Sequence, residues 1–148
     1  LEIRAKTNAS PCLVRGYKYS DLKGADFSNA DARGIRFDCS DLRNVSFTSA
    51  NLNSAYFKGA LLPTVNKFRT AKINRDTKFD NAFTEDPEFL KNLKKVTFTP
   101  SNYLEFNVKL LNLRKLTVAQ IKKLSKYNSF LKEWNTRKPL YQIINIKK

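Results

Sequence analysis

The chain contains no histidine and no methionine. Without an imidazole there is no His-based triad, no His general base and no His metal ligand. Its two cysteines, Cys12 and Cys39, lie too far apart for a paired zinc-ligand spacing. Four glycines are scattered along the chain and form no phosphate-cradling loop. No apolar run approaches the ~18 residues that a membrane-spanning helix needs. These absences predict a non-enzymatic protein with no metal, no cofactor and no small-molecule substrate. The chain begins at Leu1, so an initiator Met is missing. That predicts either a removed leader or a trimmed chain, and with two cysteines present the exported reading is preferred.

What is present is a period of five. From Ser20 to Thr64 the pentads read SDLKG, ADFSN, ADARG, IRFDC, SDLRN, VSFTS, ANLNS, AYFKG and ALLPT. The first slot is small or β-branched throughout. The third slot is Leu22, Phe27, Ala32, Phe37, Leu42, Phe47, Leu52, Phe57 and Leu62, large in all but one. Five matches neither the 3.6 period of a helix nor the 2.0 of a strand. Self-similarity at a fixed period instead marks a solenoid, whose units bury their apolar faces only by stacking on neighbours.

The series resembles the pentapeptide-repeat family, whose pattern is a small residue, Asp or Asn, Leu or Phe, and two mostly polar positions. Asp21, Asp26, Asp31, Asp41 and Asn51 occupy the family's acidic or amide slot, while Ile35, Arg36, Ser46 and Tyr56 depart from the pattern. The resemblance implies a short right-handed quadrilateral β-helix with four pentads per coil and the first and third slots pointing inward. Side-chain size agrees with that geometry. Leu22 would lie under Leu42 and Leu62, Phe27 under Phe47, Phe37 under Phe57 with Tyr17 one coil before, and the small Ala32 beside the larger Leu52. The acidic residues read as corner groups that hydrogen-bond the backbone rather than as an acid–base pair.

The fold class expected is therefore mainly β solenoid plus α, in two regions. Residues 1–83 form the repeat body with an N-terminal cap and an irregular closing coil at 65–83, where Phe68 sits one position out of register. Residues 84–148 form a basic α-helical or mixed region. Asp86-Pro87-Glu88 predicts a helix start, with Phe89, Leu90 and Leu93 on its apolar face and an end near Lys95. Thr117 and Gln120 spell a capping box before Ile121 and Leu124. Asn128 or Ser129 is positioned to cap a third helix carrying Phe130, Leu131 and Trp134, which must stop before Pro139. Tyr141, Ile143 and Ile144 predict a final strand or apolar tail. Residues 104–110 alternate as a half-buried strand does. A faint pentad register through Phe98, Tyr103, Val108, Leu113 and Val118 leaves a second short stack as the alternative for 96–120.

Charge is unevenly placed. The whole chain carries 28 Lys or Arg against 13 Asp or Glu, a net of +15. Residues 89–148 contain only two acids, Glu105 and Glu133. Such a field favours anionic partners. The candidate anion-binding residues are Arg114, Lys115, Lys122, Lys123, Lys126, Lys91, Lys94 and Lys95. Arg114 and Lys115 come first, because they immediately precede the capped helix start, where backbone N–H groups favour a phosphate or sulfate. Weighed against this, lysines on helix surfaces commonly only solvate a fold, and near a helix C-terminus they complement its dipole.

The cysteines leave two readings open. If the register extends upstream, Cys12 points inward above Ala32 and Cys39 outward at a corner, which opposes a bridge. If the first residues form an irregular cap, the chain folds over and the two cysteines pair.

Functionally, the sequence predicts an interaction or scaffold protein, exported from a bacterium as a secreted or periplasmic protein or effector, with a cytoplasmic location as the alternative. Its partner would be an anionic macromolecule, a membrane surface or a host protein. A nucleic-acid-binding protein using the same basic surface is the alternative, although Trp134, Tyr127 and Phe130 read as core rather than a stacking platform. Some pentapeptide-repeat proteins mimic DNA and protect topoisomerases. That role needs a long acidic rod, and this one is short and basic.

Overall fold

The computed structural model describes Cys12 and residues 21–99 and 111–146. Tyr17, the candidate strand 104–110 and the chain termini lie outside the described residues. From Asp21 the chain returns over itself every four pentads. Parallel single-residue bridges join Asp21 to Asp41, Asp26 to Ser46, Asp31 to Asn51, Arg36 to Tyr56 and Asp41 to Leu61. Beside each bridge, the amide of a third-slot residue donates to the carbonyl of a second-slot residue one turn later. Leu22 N reaches Asp41 O at 3.0 Å, Phe27 N reaches Ser46 O at 2.8 Å, and Phe37 N reaches Tyr56 O at 2.7 Å.

The corners explain the fourth and fifth slots. The amide of each pentad's first residue donates three residues back, as Ala25 does to Leu22 O at 2.9 Å. The fifth slot has positive φ at Gly24, Asn29, Gly34, Cys39, Asn44, Ser49, Ser54 and Gly59. Turns of this kind need a left-handed residue at their third position, which Gly and Asn adopt most readily. The second-slot carboxylates and amide brace the same corners. Oδ1 of Asp26 accepts Ser28 N at 2.9 Å, and Oδ1 of Asn51 accepts Asn53 N at 3.1 Å.

Inside, the aromatic rings form two columns. Phe27, Phe47 and Phe68 stack at 5.6 and 5.3 Å, and Phe37, Phe57 and Phe79 at 5.3 and 5.1 Å. The columns meet edge to face, as Phe37 and Phe47 do at 5.2 Å, so both the stacked and T-shaped arrangements favoured by ring quadrupoles are used. Leu42, Phe47, Leu52 and Phe57 are fully buried, whereas Leu22 and Phe27 in the first described turn are only partly so. The closing coil keeps the columns by absorbing extra residues. The 3-10 helix Val65–Phe68 lets Phe68, rather than residue 67, fall on Phe47. A second loosening puts Phe79 on Phe57.

The end of the stack is plugged by α1 (Phe89–Val96), close to the predicted helix. The Phe89 ring meets Phe68 and Phe79 edge-on at 5.9 and 6.3 Å, with Leu90 and Leu93 buried beside it. Beyond it lies a three-stranded antiparallel sheet of β1 (Phe83–Thr84), β2 (Leu111–Lys115) and β3 (Tyr141–Asn145), ordered β1-β3-β2. The final strand predicted at Tyr141, Ile143 and Ile144 is β3, which pairs Leu111 with Asn145 through Lys115 with Tyr141. The capping box is present at α2 (Val118–Leu124): Thr117 Oγ1 accepts Gln120 N, and Gln120 Oε1 accepts Thr117 N. The third predicted helix shrinks to one 3-10 turn, Ser129–Leu131.

A second core joins this region to the stack. Leu61 occupies a second slot, where most pentads are polar, and so points outward. With Phe83 it packs against Leu116, Ile121, Phe130, Leu131 and Leu140. Residues 1–83 and 84–148 thus share a sheet and two cores. The faint register beyond residue 96 is not followed where it is described. Leu113 lies in the antiparallel β2, Val118 opens α2, and Phe98 is exposed. Those positions carry apolar residues without the small first-slot partner that an inward turn requires.

Candidate functional site

The eight candidate cations fall on three elements. Lys91, Lys94 and Lys95 lie on α1, Arg114 and Lys115 on β2, and Lys122, Lys123 and Lys126 on or just after α2. α1 packs beside β2, and β2 runs into α2 through Leu116 and Thr117. All eight are exposed. Periodicity dictates this for the helical ones: Phe89, Leu90, Leu93 and Ile121 take the buried stripes and leave lysines outward.

Local bonding distinguishes them. Lys91 pairs with Glu88 at 3.5 Å. Lys94, Lys95, Lys122 and Lys123 occupy the last turns of their helices, where a cation complements the dipole. At the site favoured from sequence, an Arg114 guanidinium nitrogen donates to Gln142 Oε1 at 2.6 Å. Leu116 N reaches Leu140 O at 2.9 Å, and the amides of Thr117 and Gln120 are held within the capping box. The amides of Leu116, Thr117 and Gln120 thus already have partners, so attraction there rests mainly on Lys115, Lys122, Lys123 and Lys126 acting through space.

The repeat body has charges of its own. Asp38 is buried with its Oδ2 2.7 Å from an Arg36 guanidinium nitrogen, while its Oδ1 accepts Lys58 N at 3.0 Å. Burial pushes the Asp38 carboxyl above the usual carboxylate range, and Arg36 and the Lys58 amide only partly offset it. The Arg36 guanidinium lies 4.2 Å from the centre of the Tyr56 ring, the aromatic that departs from the pentad pattern one turn later.

Cys12 and Cys39 are bonded, with Cα atoms 5.6 Å apart. Of the two readings, the bridged one holds. Cys39 does stand at a left-handed corner, yet it is completely buried. The corner thus accepts the bond from Cys12, which the upstream-register reading did not allow. Among the described residues, no group of three His, Cys, Asp or Glu is placed to hold a metal ion. No helix among them is long and apolar enough to cross a membrane.

With the turns and corners defined, comparison with known families becomes decisive. Residues 25–62 match the family model for pentapeptide repeats, in eight copies. These residues belong to the pentapeptide-repeat family. The match falls on the pentads whose fifth slots are left-handed and whose third slots fill the core. No curated protein and no solved structure matches the chain.

Sequence reasoning missed two features. One is Leu61, whose outward apolar side chain signalled a docked C-terminal region. The other is Phe98, placed inward by the faint register but left 65% exposed among cations.

Proposed function

We propose that this protein is a non-enzymatic interaction scaffold whose basic C-terminal region binds an anionic partner. The pentapeptide repeats supply a scaffold for protein interaction, and we take the stacked turns as a short right-handed quadrilateral β-helix. Bridges at four-pentad intervals and the two ring columns support that reading. Such a rod is stiff, because each turn is fixed by its neighbours.

The observation that carries the partner class is charge. Fourteen of the 28 basic residues fall at 89–148 beside only two acids, and the eight candidates are exposed. The bridge between Cys12 and Cys39 supports export, since disulfides persist in oxidising compartments. A secreted or periplasmic bacterial protein, acting on a host or envelope component, is the setting proposed.

The test is binding to heparin, as a generic polyanion, across a salt series. A functional surface loses affinity steeply with salt, because each neutralised anionic group releases counterions. Joint reversal of Arg114, Lys115, Lys122 and Lys123 to Glu removes binding, while reversal of Lys18, Lys23, Arg33 and Lys58 does much less. Equal loss from both sets reduces the surface to diffuse charge and overturns the proposal.

A further inference from the structure

Phe98 is 65% exposed, the most exposed large apolar side chain among those of the described residues. It is not on a loose strand of chain. Its amide donates to Ala71 O at 2.7 Å, and it forms a parallel bridge with Lys72. On either side, Thr97 N donates to Leu93 O at 3.1 Å, Thr70 N to Val96 O at 2.7 Å, and Thr99 Oγ1 to Ile73 O. The backbone is pinned to the stack so that a phenyl ring faces water, an arrangement that costs hydration free energy.

The surroundings are cationic. Two segments meet at Phe98, residues 65–75 from the closing coil and 89–99 from α1 onward. Together they contain Lys67, Arg69, Lys72, Arg75, Lys91, Lys94 and Lys95 and no Asp or Glu. Arg69, Lys72, Lys94 and Lys95 are exposed. Glu88, which precedes α1, is paired with Lys91 at the far end of that helix.

We infer that this patch is a membrane-surface anchor, in which Phe98 enters the headgroup boundary of an anionic bilayer while Arg69, Lys72, Lys94 and Lys95 engage the lipid phosphates. The inference rests on the proposed anionic partner and commits it to a lipid surface. An apolar ring among cations matches how peripheral proteins bind: the ring contributes burial and the cations attract the negative leaflet, about 1 kcal/mol per basic residue near the surface. A single-stranded nucleic acid is the other occupant of this chemistry, but stacking platforms use successive aromatics along a groove. Phe98 stands alone here among the described residues.

The experiment is co-sedimentation with vesicles of phosphatidylcholine, with and without phosphatidylglycerol, run beside heparin binding. The expected result is binding only to the anionic vesicles. Phe98→Ala should weaken it about tenfold while heparin affinity and the melting temperature stay unchanged. Phe98→Trp, placed in a Trp134→Phe background, should show a blue-shifted emission on anionic vesicles. Unchanged vesicle binding by Phe98→Ala, or an unshifted Trp emission, overturns the anchor and leaves the basic-surface reading standing. Heparin binding without vesicle binding overturns the anchor in the same way. Failure to bind heparin and vesicles alike removes both readings.

Discussion

Residues in the ring columns show how narrowly an internal position is constrained. Phe47 touches Phe27 and Phe68 above and below and Phe37 and Phe57 on its edges, with no exposed surface. Phe47→Ala removes four ring contacts at once, and a stack with fixed turn height collapses poorly around the void. We expect a loss of about 3–5 kcal/mol in urea unfolding, with Phe47→Asp failing to fold. A loss below about 1 kcal/mol would contradict the column geometry. Asp38 supplies a pH test. Its raised pKa means that the folded state holds its proton more tightly than the unfolded chain does. Its contribution to stability is present below the ordinary Asp range and is lost as pH rises through the raised folded value. Asp38→Asn removes that titration. The stability of the variant relative to wild type should therefore increase as pH rises from about 4. Urea midpoints measured at a series of pH values check the sign.

Elements differ in how legible they were from sequence. The pentad body was readable because its determinants are local: a small first slot, a large third slot and a corner-forming fifth slot recur without reference to distant residues. The capping box of Thr117 and Gln120 was readable for the same reason. The docking of α2 and the Ser129–Leu131 turn was not, since it depends on Leu61 pointing away from the stack and on Phe83 meeting Phe130 at 5.7 Å. One apolar residue in a polar slot looks like noise until its partner is in place. Leu61→Asp should therefore detach residues 116–140 from the body, because it buries a charge in an apolar contact. Limited proteolysis should cut this region first, and Phe47 should remain protected in hydrogen exchange. Simultaneous exposure of both cores would mean that the two regions unfold as one unit. The Cys12–Cys39 bridge closes a loop with a sequence separation of 27. Cys12→Ser should cost about 3 kcal/mol, and reductant should lower the wild-type melting temperature without affecting the variant.

At the scale of the molecule, the proposed function divides the work between shape in the repeat body and charge in the basic region. α1 closes the end of the stacked rings with Lys91, Lys94 and Lys95 exposed. Net charge was legible in the sequence, but its grouping was not. Lys72 and Arg69 belong to the repeat half by position, yet they lie beside Phe98 because the closing coil brings Ala71 and Lys72 alongside it. Grouped charge and dispersed charge predict different responses. If the cations act as a surface, the Glu reversal of Arg114, Lys115, Lys122 and Lys123 flattens the salt dependence of polyanion binding as well as lowering affinity. Each lost contact reduces the slope of log affinity against log salt by about 1. Stability should fall only modestly, because the side chains are exposed and the losses are the Arg114 hydrogen bond to Gln142 and the complement of Lys122 and Lys123 to the helix dipole. Arg114 provides an internal control, since its guanidinium is tied to Gln142. Arg114→Gln alone should change the salt slope less than Lys122→Gln alone, and an equal change would show that the hydrogen bond leaves its charge fully available to the partner.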